Sequence, residues 1–137
     1  MAQGIGRLLI AFDGGSPAEK ALNMGIELAL ANSAEVGIVC VVPEQTGEAD
    51  DPWSETSERA WLLYSAKSRV QKRGVASVTT HAPLGAAGPS IVNVAETLGY
   101  DTIVIGSRQL GPIRRTLLGS VSRYVAVHSA ATVIIAR

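Results

Sequence analysis

Five short segments of strand character, separated by four segments of helical character, constrain the fold of this chain more than any other feature. Four of them are apolar runs, at residues 7–12, 36–42, 102–105 and 132–136, and the third along the chain, at residues 75–82, alternates loosely. Short and nearly continuous apolar runs are typical of strands that are buried on both faces. Strands that alternate with helices predict an α/β fold, with a parallel sheet, helices on both faces and right-handed crossovers. The length of 137 residues fits about one domain.

The helical segments have recognisable start and stop signals. Ser16 and Glu19 predict a helix start in which Ser16 is the cap and Glu19 completes a capping box. A second helix is expected over residues 54–73, with acids early, bases late and Gly74 as its stop. A third helix is expected to end at Gly99.

A ligand site is expected beyond the carboxyl ends of the strands, because open parallel sheets bind ligands there, near the point where the strand order reverses. Asp13 follows the first apolar run directly. The residues after Val42 follow the second run, and Gly106 and Ser107 follow the run at residues 102–105. The predicted site therefore draws on three separate segments of the chain.

The segment from Gly106 to Ser122 is the strongest candidate for binding an anion. Glycines let backbone N–H groups approach a ligand, and a helix expected over residues 119–129 would add the positive end of its dipole. Hydroxyl and guanidinium donors accompany them: Ser120, Ser122, Arg108, Arg114 and Arg115. On composition alone, a turn with solvated arginines explains the segment equally well.

Composition and charge exclude several classes of function. The formal net charge is zero, so the chain as a whole gives no electrostatic reason to bind nucleic acid or an anionic membrane. No run approaches the ~20 apolar residues of a membrane span, and a cytoplasmic protein is expected. The single cysteine, Cys40, lies in an apolar run and is expected to be an inert core thiol.

The sequence offers few candidates for catalysis. His81 and His128 lack the spacing of metal ligands and are expected to be structural or exposed. The serines near the glycines have no evident base partner, which a nucleophile would need, so no enzyme activity is expected from them. A Walker phosphate loop and a dinucleotide fingerprint are both absent. Trp61 is expected in the core, while core, lid and partner contact all stay open for Trp53.

Three stretches together resemble the universal stress protein family across essentially the whole chain. They are LLIAFDGGSPAEKAL, VGIVCVVPE and TIVIGSRQLGPIRRTLLGSVSRYVAVHSAATVIIAR. The resemblance implies one domain over residues 1–137, with a five-stranded parallel sheet in the order 3-2-1-4-5. It also implies a homodimer joined through the last strand, Thr132–Ala136, which suits an apolar edge strand that invites pairing.

The nucleotide-binding branch of that family has a motif of glycine, two residues, glycine, nine residues, and then glycine with serine or threonine. The first glycine falls on Gly106 and the closing pair on Gly119 and Ser120. The resemblance implies that Asp13 lies beside the ribose of ATP or AMP and that the Val41 backbone meets the adenine. It further implies that residues Gly119, Ser120, Val121 and Ser122 hold the phosphates, with Mg²⁺ as a companion of ATP.

Gln109 stands where the motif has its middle glycine. A non-glycine residue costs on the order of 1 kcal/mol where φ must be positive, and its side chain occupies space near the phosphates. Because the Gln amide can itself donate a hydrogen bond to a phosphate, a weakened site is expected rather than a lost one. Two functions stay open: a nucleotide-binding regulatory protein, and a dimeric stress-response interaction module that binds no nucleotide.

Overall fold

Five parallel strands and four helices form the part of the chain that the structure describes. The structure is a computed structural model that describes residues 4–44, 55–107 and 119–137. The strands are β1 (Arg7–Ala11), β2 (Glu35–Val39), β3 (Val78–His81), β4 (Thr102–Gly106) and β5 (Thr132–Ala136). The helices are α1 (Ser16–Asn32), α2 (Glu55–Lys72), α3 (Ala87–Leu98) and α4 (Ser120–His128). All neighbouring strands are parallel, in the order β3-β2-β1-β4-β5, which confirms the predicted fold class and strand order.

Both faces of the sheet are covered, because β1 directs alternate side chains to opposite sides. Leu8 and Ile10 belong to a core shared with α1 and α2, while Leu9 and Ala11 belong to a core shared with α3 and α4. The first three of these side chains are completely buried. Burial on both sides explains why the sequence of β1 is continuously apolar rather than alternating.

The second strand ends earlier than its apolar run predicts. β2 ends at Val39, yet the chain continues alongside β3: the Cys40 N–H donates to the His81 carbonyl at 3.0 Å, and the Val42 N–H donates to the Pro83 carbonyl at 2.8 Å. On the other side β1 has already ended at Ala11. Residues 40–42 are therefore paired on one side only.

The start of α1 differs from the sequence prediction. Ser16 is the first helical residue, and the cap position is Gly15, which offers no side-chain bond. The Glu19 carboxylate does not complete a capping box but accepts two bonds from Arg69 on α2, at 3.0 and 2.7 Å. A bidentate guanidinium partner is a stronger attraction than a neutral backbone N–H. It also lowers the pKa of Glu19.

The predicted helix stops are confirmed. Gly74, just beyond α2, has a φ of 110°, and Gly99, at the end of α3, has a φ of 74°. These are left-handed conformations that favour glycine. None of the helices within the described residues is both long enough and apolar enough to cross a membrane.

The prediction that Trp61 lies in the core is wrong. Its side chain is 64% exposed and stacks on Tyr64, with 5.9 Å between the ring centroids. The buried face of α2 is formed by Leu63, Ala66 and Val70. Trp61 precedes Leu63 by two residues, which is more than half a helical turn, and so it points outward. Trp53 lies outside the described residues.

Cys40 and His128 have the structural roles that the sequence predicts. Cys40 is 1% exposed, and burial raises the pKa of its thiol. His128, exposed on α4, stacks on Tyr124 with 3.9 Å between the ring centroids. Its Nδ1 lies 3.0 Å from the Tyr124 carbonyl oxygen.

His81 takes part in a polar contact on the face of the sheet that carries α3 and α4. Its Nε2 lies 2.7 Å from the hydroxyl of Tyr100. The Tyr100 ring lies directly over Gly37, where a Cβ would come within 2.2 Å of the hydroxyl oxygen. The Arg7 guanidinium lies 4.8 Å from the centre of the same ring. Burial, and after it the charge of Arg7, lower the pKa of His81 below its ordinary value.

Acid should destabilise the fold through His81. Because its pKa is depressed in the folded chain, the unfolded chain takes up a proton near pH 6.5 while the folded chain does not. The contribution of His81 to the free energy of unfolding is therefore complete above about pH 6.5 and is lost as the pH falls below it. His81→Gln should flatten this loss, measured by urea unfolding between about pH 5 and 7.5. His128→Gln is the matched control, and an equal flattening in both variants would contradict the assignment.

Candidate functional site

An open cleft of about 780 Å³ lies beyond the carboxyl ends of the central strands. Its volume is within the range of sites for small molecules and cofactors. The cleft lies at the point where the strand order reverses, because β2 and β4 lie on either side of β1. Seven predicted site residues line it: Asp13, Val41, Gly106, Gly119, Ser120, Val121 and Ser122. The other two, Arg108 and Gln109, lie outside the described residues.

Asp13 is exposed in the cleft and is held in place by its own turn. Its Oδ1 accepts a bond from the Gly15 N–H at 2.9 Å. The other carboxylate oxygen has no hydrogen bond from the described residues. It is therefore available to accept a hydrogen bond from a hydroxyl group of a ligand.

Val41 lies in the cleft just beyond the end of β2, and its backbone groups are unpaired. The N–H groups of Cys40 and Val42 bond to the end of β3 and to the residues just beyond it, so the Val41 backbone faces the opposite side, where β1 has ended. Neither its N–H nor its carbonyl has a backbone partner among the described residues. One donor and one acceptor are thus free side by side, which is the pattern that the edge of a nucleobase can match.

Gly106, the last residue of β4, is in close contact with the start of α1. A Cβ at this position would lie 2.2 Å from the Pro17 carbonyl oxygen. Only glycine fits this contact, since the obstacle is backbone and cannot swing aside. The glycine that the motif places first thus has a packing role that holds with or without a ligand.

The two ends of the segment between β4 and α4 are tied together. The Ser107 hydroxyl accepts a bond from the Gly119 N–H at 3.2 Å. The Ser107 N–H donates to the Ala136 carbonyl on β5. These bonds fix the beginning of α4 to the end of the sheet.

The first turn of α4 opens into the cleft without a side-chain cap. Its cap position is Gly119, and Ser120 is exposed at the first helical position. The N–H groups at a helix start, together with its dipole, favour an anion. Ser122 was predicted as a further donor, but its buried hydroxyl donates to the Gly119 carbonyl at 3.1 Å. Ser122 therefore shapes the turn, and Ser120 is the hydroxyl that faces the open space.

The charged residue of the described cleft lining that the sequence prediction missed is Arg59, on the first part of α2. Its Nη1 lies 3.8 Å from the Cys40 sulfur. Arg59 lies one helical turn before Leu63, on the same face of α2 as the buried side chains of Leu63, Ala66 and Val70. An arginine in line with a core stripe, at the helix end nearest the carboxyl ends of the strands, is a signal that could have identified it.

The described residues contain no preformed metal centre. No group of three or more His, Cys, Asp or Glu side chains within residues 4–44, 55–107 and 119–137 is arranged to hold an ion. Asp13 is the one acidic side chain among the described residues that line the cleft.

The model of the universal stress protein family matches residues 4–137. The chain belongs to the universal stress protein family. It is 30% identical over 148 residues to the universal stress protein YxiE of Bacillus subtilis, covering 96% of this chain and 98% of that relative. A crystal structure of a universal stress protein in complex with cAMP has a TM-score of 0.81 at 23% identity, covering 98% and 99% of the two chains. The universal stress protein from Archaeoglobus fulgidus in complex with dAMP has a TM-score of 0.75 at 26% identity, covering 97% and 98%.

Gly106→Ala tests the packing role of the first motif glycine in this family member. The new methyl group must push α1 away from β4, so we expect the free energy of unfolding to fall by about 2 kcal/mol, as in other overpacked cores. Chemical unfolding without ligand measures the change. Gly4→Ala is the control, since a Cβ there meets only an ordinary contact of 3.5 Å with Asn32. A Gly106→Ala chain as stable as the control would refute the contact.

Proposed function

We propose that this chain is a stress-response regulatory protein that binds an adenine nucleotide, ATP or AMP, in the cleft. The observation that carries the proposal is the uncapped start of α4, which opens into the cleft at Gly119 and Ser120. Structural neighbours in the family, described as complexes with cAMP and dAMP, support an adenine nucleotide as the ligand.

The proposed ligand lies across three strand ends. The adenine meets the free backbone groups of Val41, a ribose hydroxyl donates to Asp13, and the phosphates accept bonds from the first turn of α4. This order follows the strands, because β2, β1 and β4 are neighbours in the sheet. Adjacent strands are about 4.8 Å apart, so the distance from Val41 to α4 suits the length of a nucleotide.

The proposed role is regulatory binding with slow hydrolysis at most. The Ser122 hydroxyl donates to a carbonyl rather than to a basic side chain, so it is not an activated nucleophile. Occupancy of the cleft by ATP or AMP would then report the nucleotide state of the cell.

Binding is tested directly by native mass spectrometry of freshly purified protein and by thermal-shift titration with magnesium ATP, AMP and a pyrimidine nucleotide as the control. Stabilisation by the adenine nucleotides follows from binding to the folded state alone. If no nucleotide copurifies and millimolar ATP or AMP gives no shift, the interaction module without a nucleotide is the better explanation.

Ser120→Glu should abolish phosphate binding without weakening the fold. A carboxylate at the first helical position suits the dipole of α4, but it lies where the phosphates are proposed to bind. We expect ATP affinity to fall more than about tenfold by calorimetry, because like charges at contact distance repel strongly. Ser120→Gln, of equal size and no charge, should retain most of the affinity. An equal loss in both variants would indicate a steric effect and contradict the phosphate site.

We also propose that two copies pair through β5. The strand is at the edge of the sheet, and its side chains at Val133, Ile134 and Ile135 are only half buried in the single chain. An apolar edge with unpaired backbone groups favours association with a second strand.

Ile135→Lys should convert the proposed dimer into a monomer. The charge would have to be desolvated at the interface, and sedimentation should detect the halved mass. Leu84→Lys is the control, because Leu84 is 69% exposed and follows β3 at the opposite edge. A wild-type chain that is monomeric at micromolar concentration would refute pairing through β5.

A further inference from the structure

Arg59 is the one basic side chain among the described residues that line the cleft. Among the side chains that the structure describes, which begin in α2 at Ser57, no carboxylate lies within ion-pair distance of Arg59. Its contact with the weakly accepting sulfur of Cys40, at 3.8 Å, is a poor substitute for a charged partner. A guanidinium at the cleft without an ion-pair partner among these side chains is ready to bind a ligand acceptor.

The Nε atom of Arg59 is a second, independent indication. It is buried and has no hydrogen-bond partner in the part of the chain that the structure describes. Buried N–H groups without a partner are rare, because the cost of removing them from water is not recovered. The described residues therefore leave part of the bonding capacity of this guanidinium unused.

The position of Arg59 indicates which part of the ligand it meets. Its contact with Cys40 places the guanidinium just beyond the end of β2, while the bond between Gly119 and Ser107 places the start of α4 just beyond β4. Because β1 lies between β2 and β4, these points are about two strand spacings, or roughly 10 Å, apart. A phosphate bound at α4 cannot also bond to Arg59.

We infer that Arg59 is a specificity-determining residue that donates to a ring nitrogen of the purine base, at the end of the cleft opposite to the phosphates. The inference rests on the proposed function, since it assumes that a nucleotide occupies the cleft. Arg59 binds the base together with the free backbone groups of Val41, which directly follows Cys40 in the chain and also lines the cleft. The ligand is then recognised at both ends: at the base by α2 and β2, and at the phosphates by α4.

The test measures how the loss of affinity depends on the number of phosphates. Arg59→Met keeps the long apolar stem but removes every donor. We expect the affinities for adenosine, AMP and ATP to fall by the same factor of about ten, as for the loss of one hydrogen bond from a charged donor. Isothermal calorimetry on the full chain measures the ratio of wild-type to variant affinity for each of the three ligands. Thermal unfolding without ligand checks that the variant is folded.

The matched control is Arg69→Met, on the same helix. Arg69 pairs with Glu19 and is not part of the cleft lining, so its loss should leave all three affinities unchanged. If Arg59→Met does not fold, Arg59→Lys keeps the charge and stem and should show the same equal losses with a smaller factor.

Three results would overturn the inference. A loss that grows from adenosine to ATP would place Arg59 at the phosphates, and unchanged affinities would remove it from the site; in both cases the proposed nucleotide function survives. A wild-type chain that binds none of the three ligands would refute the proposed function itself, and the role of Arg59 with it.

Discussion

The close contact between Gly106 and the Pro17 backbone is the constraint on which the rest of the structure depends. Without a side chain at the end of β4, the start of α1 can lie against that strand. The first turn of α1 therefore lies in the same cleft lining as the first turn of α4. A larger residue at position 106 would separate α1 from β4, and the cleft between them would change shape with the core.

Because of this contact, the glycine motif is not by itself evidence of a ligand. Gly106 is required by packing, and the hydroxyl of Ser122 is occupied by the Gly119 carbonyl. Both residues would suit a family member that had lost its ligand. The motif alone therefore does not separate the two functions that the sequence left open. The groups that do bear on a ligand are those with unused bonding capacity: the Val41 backbone, one oxygen of Asp13, the start of α4 and the Nε of Arg59.

The sequence predicted the fold and the place of the cleft because both follow from chain order. Alternating strands and helices determine the parallel sheet, and residues after β1, β2 and β4 necessarily meet at one edge. Local details depended on tertiary partners instead. The Glu19 carboxylate bonds to Arg69 of another helix instead of completing the expected capping box. Trp61 is exposed because other side chains form the core face of α2. The helical spacing of α2 puts Arg59 in line with its buried stripe, but that Arg59 lines the cleft depends on where α2 lies above the sheet, which periodicity alone does not give.

The distribution of charge in the cleft favours a nucleotide over a simple polyanion. Among the described residues, positive character lies at two ends, with Arg59 beyond β2 and the start of α4 beyond β4. Between them, beyond β1, stands the carboxylate of Asp13, held by the Gly15 N–H. A chain of phosphates that filled the cleft would be repelled at this central carboxylate. A nucleotide places a ribose there, whose hydroxyls donate to a carboxylate, and confines its negative charge to the α4 end. The carboxylate thus determines where the ribose of the proposed ligand lies, because the neutral middle of a nucleotide matches it.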